Sequence, residues 1–491
     1  MSLMNTTKPT TPAIVGVAQV VQRPGDVDLA DARGPIELML DAARAAADDA
    51  GAPALLKRVG LVGVAGGWFR YRNPGQLIAE RIGSPKAPTM LTSVSGTGPQ
   101  DMVGAAAERI AAGQLDVALI VGGEARWSHQ RTKRAGRTPT WISEPGEGEP
   151  EPMSGFADAM MQETNALGSP ATAYALFEDS LRAAQGRSVD EHRDSIAALW
   201  SSFSEIAAGN EFAWDRQHHT PSEIRDPGPS NRMISFPYTK AMVANNTVDM
   251  ATAIILCRPE VARALGIAND RLVFPLVVTS SHETWRIIER DRLNGCPALT
   301  EAARVAFAHT GLSPDEIDHI DLYACFPAIV QMSSSALGLT SRRPLTITGG
   351  LGFAGAPIGN AVGHSIAAMT ERVRNGGIGL VHGNGGQATK HSFGIYSSAA
   401  PTTFARIDVQ PGVEHRQRAV LDEDWTGTVT VEAATVVYGR EGADHLVAAV
   451  LDATGARAWA HSTNPDLMTL TETDGIAGRI GERTIEGELT V

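Results

Sequence analysis

The sequence predicts an α/β fold of two similar halves followed by a small all-β domain. Strand and helix patterns alternate from residue 13 to residue 123, and the order strand, glycine-rich turn, helix and strand occurs twice in the chain. The region after residue 404 carries strand patterns without helical periodicity. Because 491 residues divide into roughly three domains of about 150 residues, the chain is long enough for all three parts.

The first half begins with an apolar strand, Ala13 to Val20, and continues with helices and strands in alternation. The further predicted elements are a helix ending at Gly51, a strand from Leu61 to Val64, a helix that starts at Asn73 and Pro74 and ends at Gly83, a strand from Met90 to Val94, a helix from Pro99 to Ala112, and a strand from Val117 to Val121. This β-α-β series predicts a parallel sheet with helices on both faces.

An irregular region separates the first half from the second. From about Ser128 the strand rhythm is lost, and Glu144 to Pro152 is an acidic stretch. Strand signal returns at Val248 to Leu256. The second half is then predicted as strands Leu272 to Thr279, Ile317 to Tyr323, Leu345 to Thr348 and Gly379 to Val381, with helices Pro297 to Thr310, Pro327 to Leu337 and one ending at Arg374. The tail is predicted as strands Thr428 to Tyr438, His445 to Asp452 and Arg457 to Ser462.

Two glycine-rich turns hold corresponding places in the two halves. One turn, Ser95 to Gly98, and the other, Gly349 to Gly359, each lie between a predicted strand and a predicted helix. In a duplicated fold the turns would bring two helix N-termini to one site, where free backbone N–H groups suit a developing oxyanion. Glycine also serves tight turns and close packing, so either turn alone is weak evidence of function.

The charge and cysteine content exclude several classes of protein. The chain has 42 Lys and Arg against 55 Asp and Glu, and its net charge of -13 opposes nucleic-acid binding. Three widely spaced cysteines predict neither a disulfide framework nor a zinc site, and they favour a cytoplasmic location. No apolar run approaches the roughly 20 residues that span a bilayer. A basic cluster, Arg131, Lys133, Arg134 and Arg137, would suit a phosphate group or pair with the acidic stretch.

These motifs resemble the thiolase superfamily, particularly its sterol-carrier-protein branch, from about Ala13 to Ser398. Thiolases have two fused halves of five-layered αβαβα architecture, with a loop domain inserted in the first half. The resemblance implies an N-terminal half at residues 1–127 and 241–270, an inserted loop domain at 128–240, a C-terminal half at 271–400, and an additional β domain, barrel or OB-like, at 401–491. The tail resembles the extra domain of the thiolase-like proteins called type one. The family is usually dimeric, and a monomer is also compatible with the sequence.

Four family motifs can be matched, and the first three have lost their reactive residue. The Cys-x-Ser/Thr-Gly motif matches Ser95 to Gly98, which puts Ser95 at the position of the nucleophilic cysteine. The Gly-His-Pro motif matches Gly355 to Gly359 and puts Ala356 at the histidine. Tyr323 takes the position of a catalytic Asn or His, and His382 that of a second Cys or His.

The resemblance implies a pocket for coenzyme A or acyl-CoA without thiolysis or condensation. Residues expected to line this pocket are Gly98, Cys325, Phe326, Gly355, Pro357, Asn384 and Gly385. A serine is a far weaker nucleophile than a thiolate, and alanine offers no side-chain hydrogen bond. Loss of one oxyanion donor typically costs about a hundredfold to a thousandfold in rate. The expected role is therefore in lipid metabolism, with an acyl-CoA as ligand and no required cofactor or metal.

Two other functions remain open from the sequence. Ser95 with His382 as base could form an acyl-CoA acyltransferase or thioesterase, although no carboxylate is placed to orient the imidazole. Alternatively, the tail could act as an interaction module that binds a partner protein. Cys325 is interpreted as a buried structural thiol, and Tyr323 either lines the pocket or fills the space of the missing Asn.

Overall fold

The computed structural model of the chain describes residues 11–153, 155–339, 343–414 and 416–491. The strands of these residues are β1 (Ala13–Val21), β2 (Leu61–Val64), β3 (Thr89–Thr92), β4 (Val117–Ala125), β5 (Glu151–Met153), β6 (Met233–Ser235), β7 (Tyr238–Thr239), β8 (Asp249–Cys257), β9 (Phe274–His282), β10 (His319–Asp321), β11 (Ile378–Gly385), β12 (Lys390–Ser397), β13 (Ala405–Asp408), β14 (Gly427–Tyr438), β15 (Ala443–Leu451), β16 (Arg457–Ser462), β17 (Ile480–Arg483) and β18 (Leu489–Thr490).

Most of the helices have proline as their first or second residue, which is a common signal for a helix start. They are α1 (Pro35–Asp49), α2 (Pro74–Ile82), α3 (Gly98–Ala111), α4 (Arg126–Arg134), α5 (Asp158–Ala166), α6 (Pro170–Ala184), α7 (Val189–Gly209), α8 (Pro221–Arg225), α9 (Pro259–Ala264), α10 (Pro297–Thr310), α11 (Pro327–Ala336), α12 (Gly350–Phe353), α13 (Ala361–Arg374) and α14 (Pro465–Thr473). At α2 the predicted cap is present, because the Asn73 side chain accepts a hydrogen bond from the Gln76 N–H.

The first sheet has the strand order β1-β8-β4-β2-β3-β5. Strands β4, β2, β3 and β5 are parallel, as the β-α-β series predicts. Strand β8, which lies outside that series, runs antiparallel to both β1 and β4. The long excursion between β4 and β8 returns the chain to the end of the sheet where β4 stops, since Asp249 pairs with Ala125, and β8 therefore runs back in the opposite direction.

The second sheet repeats this arrangement in the order β10-β11-β12-β9-β13. Strand β12 runs antiparallel between β9 and β11, as β8 does between β1 and β4 in the first sheet. Strand β10 is parallel to β11, as β2 is to β4. The strand predicted at Leu345 to Thr348 is wrong. The N–H groups of Ile347 and Thr348 and the hydroxyls of Thr346 and Thr348 bond to the Asp321 carboxylate, so this segment has no strand pairing.

The two sheets enclose a middle layer of helices, which produces five layers. Helices α3 and α13 pack against each other between the sheets. Helix α1 covers the outer face of the first sheet, and α10 covers the outer face of the second. The prediction of two duplicated αβαβα halves is confirmed by this layering.

The tail forms the third sheet, in the order β16-β15-β14-β17-β18, and β6 pairs with β14. A bridge between His461 and Glu488 brings its two ends together. Helix α14 interrupts the strands, although the tail sequence predicts no helix. Strand β13 lies past the predicted boundary at residue 401 and belongs to the second sheet, where it runs parallel to β9.

Buried polar contacts fix the third sheet to the second half and to the inserted region. Arg457 is fully buried and donates to both oxygens of Glu432 and to the backbone carbonyl of Ile288. On α6, the Asp179 carboxylate accepts the N–H of Ala434. The tail is therefore docked by charged and backbone groups as well as by apolar packing.

Candidate functional site

The two glycine-rich turns meet, as the duplication predicts. A Cβ added to Gly359 would lie 2.1 Å from the Gly66 carbonyl oxygen and 3.5 Å from that of Ser95. The turns precede α3 and α13, whose N-termini lie in the middle layer. Only glycine at position 359 permits this approach, so the residue has a packing reason to be there.

Ser95 is buried at the centre of this contact. Its hydroxyl forms a 2.9 Å hydrogen bond with the Thr97 hydroxyl and accepts the Thr97 N–H at 3.3 Å. A Cβ on Gly385 would come 2.2 Å from the Ser95 oxygen, so β11 passes directly over the serine. Among the described residues no imidazole or carboxylate bonds to Ser95 Oγ.

Tyr323 closes the same turn from the second half. A Cβ on Gly96 would lie 2.5 Å from the Tyr323 hydroxyl and 2.2 Å from the Asn384 carbonyl oxygen. Burial raises the pKa of the tyrosine above its usual value, so the phenol is neutral at physiological pH. Tyr323 therefore fills the space beside the Ser95 turn.

Asn384 connects Cys325 with a tyrosine that the sequence analysis missed. The Asn384 side-chain N–H donates to the Tyr174 hydroxyl at 2.9 Å and to Cys325 Sγ at 3.8 Å. The Tyr174 hydroxyl also accepts the Ala388 N–H and donates to the Gly386 carbonyl. Tyr174 lies on α6 in the inserted region, and no motif in the sequence marks it.

The Asn384 side-chain oxygen has no partner among the described residues, although it is buried. An orphaned buried carbonyl is costly, so a hydrogen-bond donor is expected to satisfy it. Burial raises the pKa of the nearby Cys325 thiol to about 12, which keeps it protonated and poorly nucleophilic. The site thus holds an unsatisfied buried acceptor and a protonated thiol.

His382 belongs to a different hydrogen-bonded group from Ser95. Its Nδ1 lies 3.1 Å from the Ser333 hydroxyl, which donates to the Ile329 carbonyl and therefore accepts from the histidine. Its Nε2 lies 3.4 Å from Nδ1 of His391. Burial, followed by the charge of His391, lowers the pKa of His382 far below its usual value. The structure therefore does not bring Ser95 and His382 together as nucleophile and base.

His391 and its other hydrogen-bond partners were also not predicted as site residues from the sequence. His391 Nε2 lies 3.2 Å from Cys296 Sγ, and Glu283 accepts the Cys296 thiol at 3.5 Å. Burial lowers the pKa of His391 to about 4. These groups are neutral histidines and a protonated thiol in the core of the second half.

Ala356 lies in the second glycine turn, with its methyl group buried. Its N–H donates to the Asn245 carbonyl at 2.9 Å, and Gly355 before it has a φ of +104°. The neighbouring Pro357 carbonyl accepts the Asn360 N–H. Phe326, another predicted lining residue, stacks on Tyr174 with ring centroids 4.5 Å apart.

A cleft of about 910 Å³ opens beside this turn. Lys240, Asn245 and Thr247 line one side of it, and Gly352 and Phe353 line the other. Clefts of about 300 to 1,000 Å³ are typical of small-molecule sites. Because Asn245 also bonds Ala356, the cleft reaches the turn that touches Ser95.

Comparisons with known proteins agree with this geometry. A monomeric SCP2-thiolase-like protein type 1 from Mycobacterium smegmatis is 28% identical, with a TM-score of 0.82 over 98% of this chain and 99% of that chain. The chain belongs to the thiolase superfamily, in its SCP2-thiolase-like branch. No family model matches this thiolase-superfamily chain, and a search of curated proteins finds no match.

Two more distant structures share the thiolase fold with this family member. The dimeric peroxisomal thiolase of Saccharomyces cerevisiae is 14% identical, with a TM-score of 0.56 over 80% of this chain and 98% of that chain. A structure described as an Ltp2-ChsH2(DUF35) aldolase is 18% identical, with a TM-score of 0.60 over 79% and 98%. Neither comparison extends over the whole of this thiolase-superfamily chain.

Two further findings on this thiolase-superfamily chain concern its helices and its cysteines. None of the helices in the described ranges is long and apolar enough to cross a membrane. Cys257, Cys296 and Cys325 are free thiols and all are buried.

Proposed function

We propose that this thiolase-superfamily chain binds coenzyme A or an acyl-CoA and has lost thiolysis and condensation. The observation that carries the proposal is the buried, unpartnered side-chain oxygen of Asn384, in a site where the described residues provide no nucleophile and base pair. An amide N–H of the pantetheine arm would satisfy this oxygen. The site therefore offers the ligand a hydrogen-bond acceptor, but no nucleophile and base pair that would react with it.

The changes and contacts at the motif positions reinforce one another. Among the described residues the Ser95 hydroxyl bonds only to Thr97, and His382 is occupied by Ser333 and His391. Ala356 offers a buried methyl group where the family has an imidazole. The alternative of an acyltransferase or thioesterase that uses Ser95 with His382 is disfavoured, because that pair does not form.

The cleft beside Asn245 is the proposed entry for the nucleotide end of the ligand. Lys240 is exposed on its wall and supplies a positive charge for a phosphate group, beside the carboxylates of Asp215, Glu223 and Asp226, which also line the cleft. Gly98, Gly355, Pro357 and Gly385 would then surround the acyl end, at the contact of the two turns.

A setting in cytoplasmic lipid metabolism fits this proposal, because the three cysteines are unpaired and acyl-CoAs are its expected ligands. The monomeric neighbour of type 1 supports a monomer. The alternative function of the tail, as an interaction module that binds a partner protein, stays a secondary prediction, because the third sheet is docked on the rest of the chain.

A calorimetric titration of coenzyme A into the Lys240→Gln variant tests the assignment of the cleft. We expect the dissociation constant to rise about twofold to fivefold, the range of one exposed charge pair. Lys86→Gln removes an exposed lysine outside the cleft and should leave the affinity unchanged. Equal affinity in both variants and the wild type would contradict the assignment.

A further inference from the structure

A second cavity, of about 710 Å³, lies on the first half, between the segment after β2 and helix α4. Aromatic residues form its walls: Trp68, Phe69, Tyr71 and Trp141. Trp68 is 51% exposed, an unusual state for so large an apolar side chain. The cavity is separate from the residues of the Ser95 site and from the cleft at Asn245.

The walls are held by specific contacts. The Tyr71 hydroxyl donates to the Ile142 carbonyl at 2.6 Å, which joins the segment after β2 to the segment after α4. The Trp68 N–H donates to the buried Glu124 carboxylate at the end of β4. The aromatic surfaces are therefore positioned by hydrogen bonds and do not depend on a ligand for their placement.

Positive charge predominates in the cavity. Arg70, Arg126 and Lys133 line it, against the single carboxylate of Glu124. Arg126 lies flat over Trp68, with its guanidinium carbon 3.7 Å from the ring centroid. Its Nη1 is buried and has no hydrogen-bond partner in the described part of the chain.

The acidic stretch does not neutralise these cations. Glu144, Glu149 and Glu151 pair instead with Arg81, Arg72 and Arg109. Of the two explanations for the basic cluster, pairing with the acidic stretch is therefore wrong for Lys133, which faces the cavity.

We propose that this cavity binds a planar aromatic anion, stacked on the aromatic walls with its charged group on Arg126. The unpartnered Arg126 donor selects an anion, and the charge of the cavity repels cations. The aromatic faces favour a ring over a small inorganic ion. The volume admits a ligand of one or two fused rings.

The test is a calorimetric titration of the full-length protein with 2-naphthoate, 2-naphthamide, adenosine monophosphate and inorganic phosphate. We expect 2-naphthoate or adenosine monophosphate to bind at least about tenfold more tightly than 2-naphthamide and phosphate. The tighter of the two anions assigns the charged group as carboxylate or phosphate ester. Equal binding of 2-naphthamide, or no binding of either aromatic anion at millimolar concentration, would overturn the proposal.

Variants locate the binding. Arg126→Gln and Trp68→Leu should each weaken the better probe at least about fivefold, whereas Arg134→Gln, an exposed arginine of the same helix outside the cavity, should not. Coenzyme A affinity and thermal unfolding of each variant serve as checks on folding. If saturating coenzyme A abolished binding of the probe, the cavity would belong to the coenzyme A site and the inference of a second site would fail.

Discussion

At the scale of single residues, two small side chains are buried at the contact of the two turns. They are Ser95 and Ala356, the proposed counterparts of the family's cysteine and histidine. Neither side chain disturbs the turns, because serine and alanine are small and Gly359 and Gly385 provide the close approach. The proposed loss of chemistry therefore carries no cost to the fold.

The double variant Ser95→Cys with Ala356→His is expected to restore some covalent acylation by acetyl-CoA. The cysteine supplies a better nucleophile, and the histidine supplies a donor for the thioester oxygen. Intact-mass spectrometry measures the fraction of protein that carries an acetyl group. Ser95→Cys alone serves as the control, and a single variant as active as the double would show that the histidine position is dispensable.

Glu124 is expected to make stability depend on pH. Burial raises the pKa of its carboxyl from 4.5 to about 7 in the folded chain, against the opposing effects of the Trp68 N–H and Arg126. Between those two values the unfolded chain is ionised while the folded chain keeps the proton. The unfolding free energy therefore falls as pH rises, by up to about 1.4 kcal/mol per pH unit, and levels off above pH 7.

Urea unfolding at pH 5 and pH 8 measures this effect. Glu124→Gln keeps an acceptor for the Trp68 N–H and should lose less stability than the wild type over that interval. The exposed Glu441→Gln variant should behave as the wild type does. A Glu124→Gln profile parallel to that of the wild type would show that the carboxyl is ionised in the folded state.

At the scale of elements, the sequence predicts well wherever one segment decides its own structure. Strand β2 and helix α10 have their predicted bounds, since apolar runs, proline starts and glycine stops are local signals. The strand prediction for Leu345 to Thr348 failed, because the hydrogen-bond partner of this segment is the Asp321 carboxylate on another strand. Helix α14 was also missed, although Asn464 and Pro465 supply a cap and a first helical residue.

The candidate site was predictable only in part for the same reason. Glycine turns and the matched motifs gave Ser95, Tyr323, Asn384 and Ala356, and the structure brings these segments together. Tyr174 and the partners of His382 came from elements far away in the chain, with no motif to mark them. Side-chain hydrogen bonds between distant segments leave no periodic pattern in a sequence.

Arg457 is expected to be essential for the docking of the third sheet. Arg457→Met would leave Glu432 and the Ile288 carbonyl without their buried partner, a loss of about 3 to 5 kcal/mol. The double variant Arg457→Met with Glu432→Leu should recover part of this loss, because the unpaired charge is gone. Urea midpoints measure both, with the exposed Arg479→Met as control; a neutral Arg457→Met would contradict the account.

At the scale of the whole molecule, the duplicated architecture is compatible with the proposed binding without catalysis. Two halves place two helix N-termini and two turns at one contact, and this arrangement depends on glycines and on layered packing. The proposed loss of reactive side chains leaves this arrangement, the cleft, the orphaned Asn384 oxygen and the docked tail in place.

The most direct test of the central claim is one titration of the wild-type protein with acetyl-CoA, followed by calorimetry and by a free-thiol assay on the same mixture. The account predicts saturable binding without release of thiol beyond that of acetyl-CoA in buffer. Rapid thiol release would show that Ser95 or another group still accepts the acyl chain. An absence of binding heat at millimolar ligand would contradict the retained pocket.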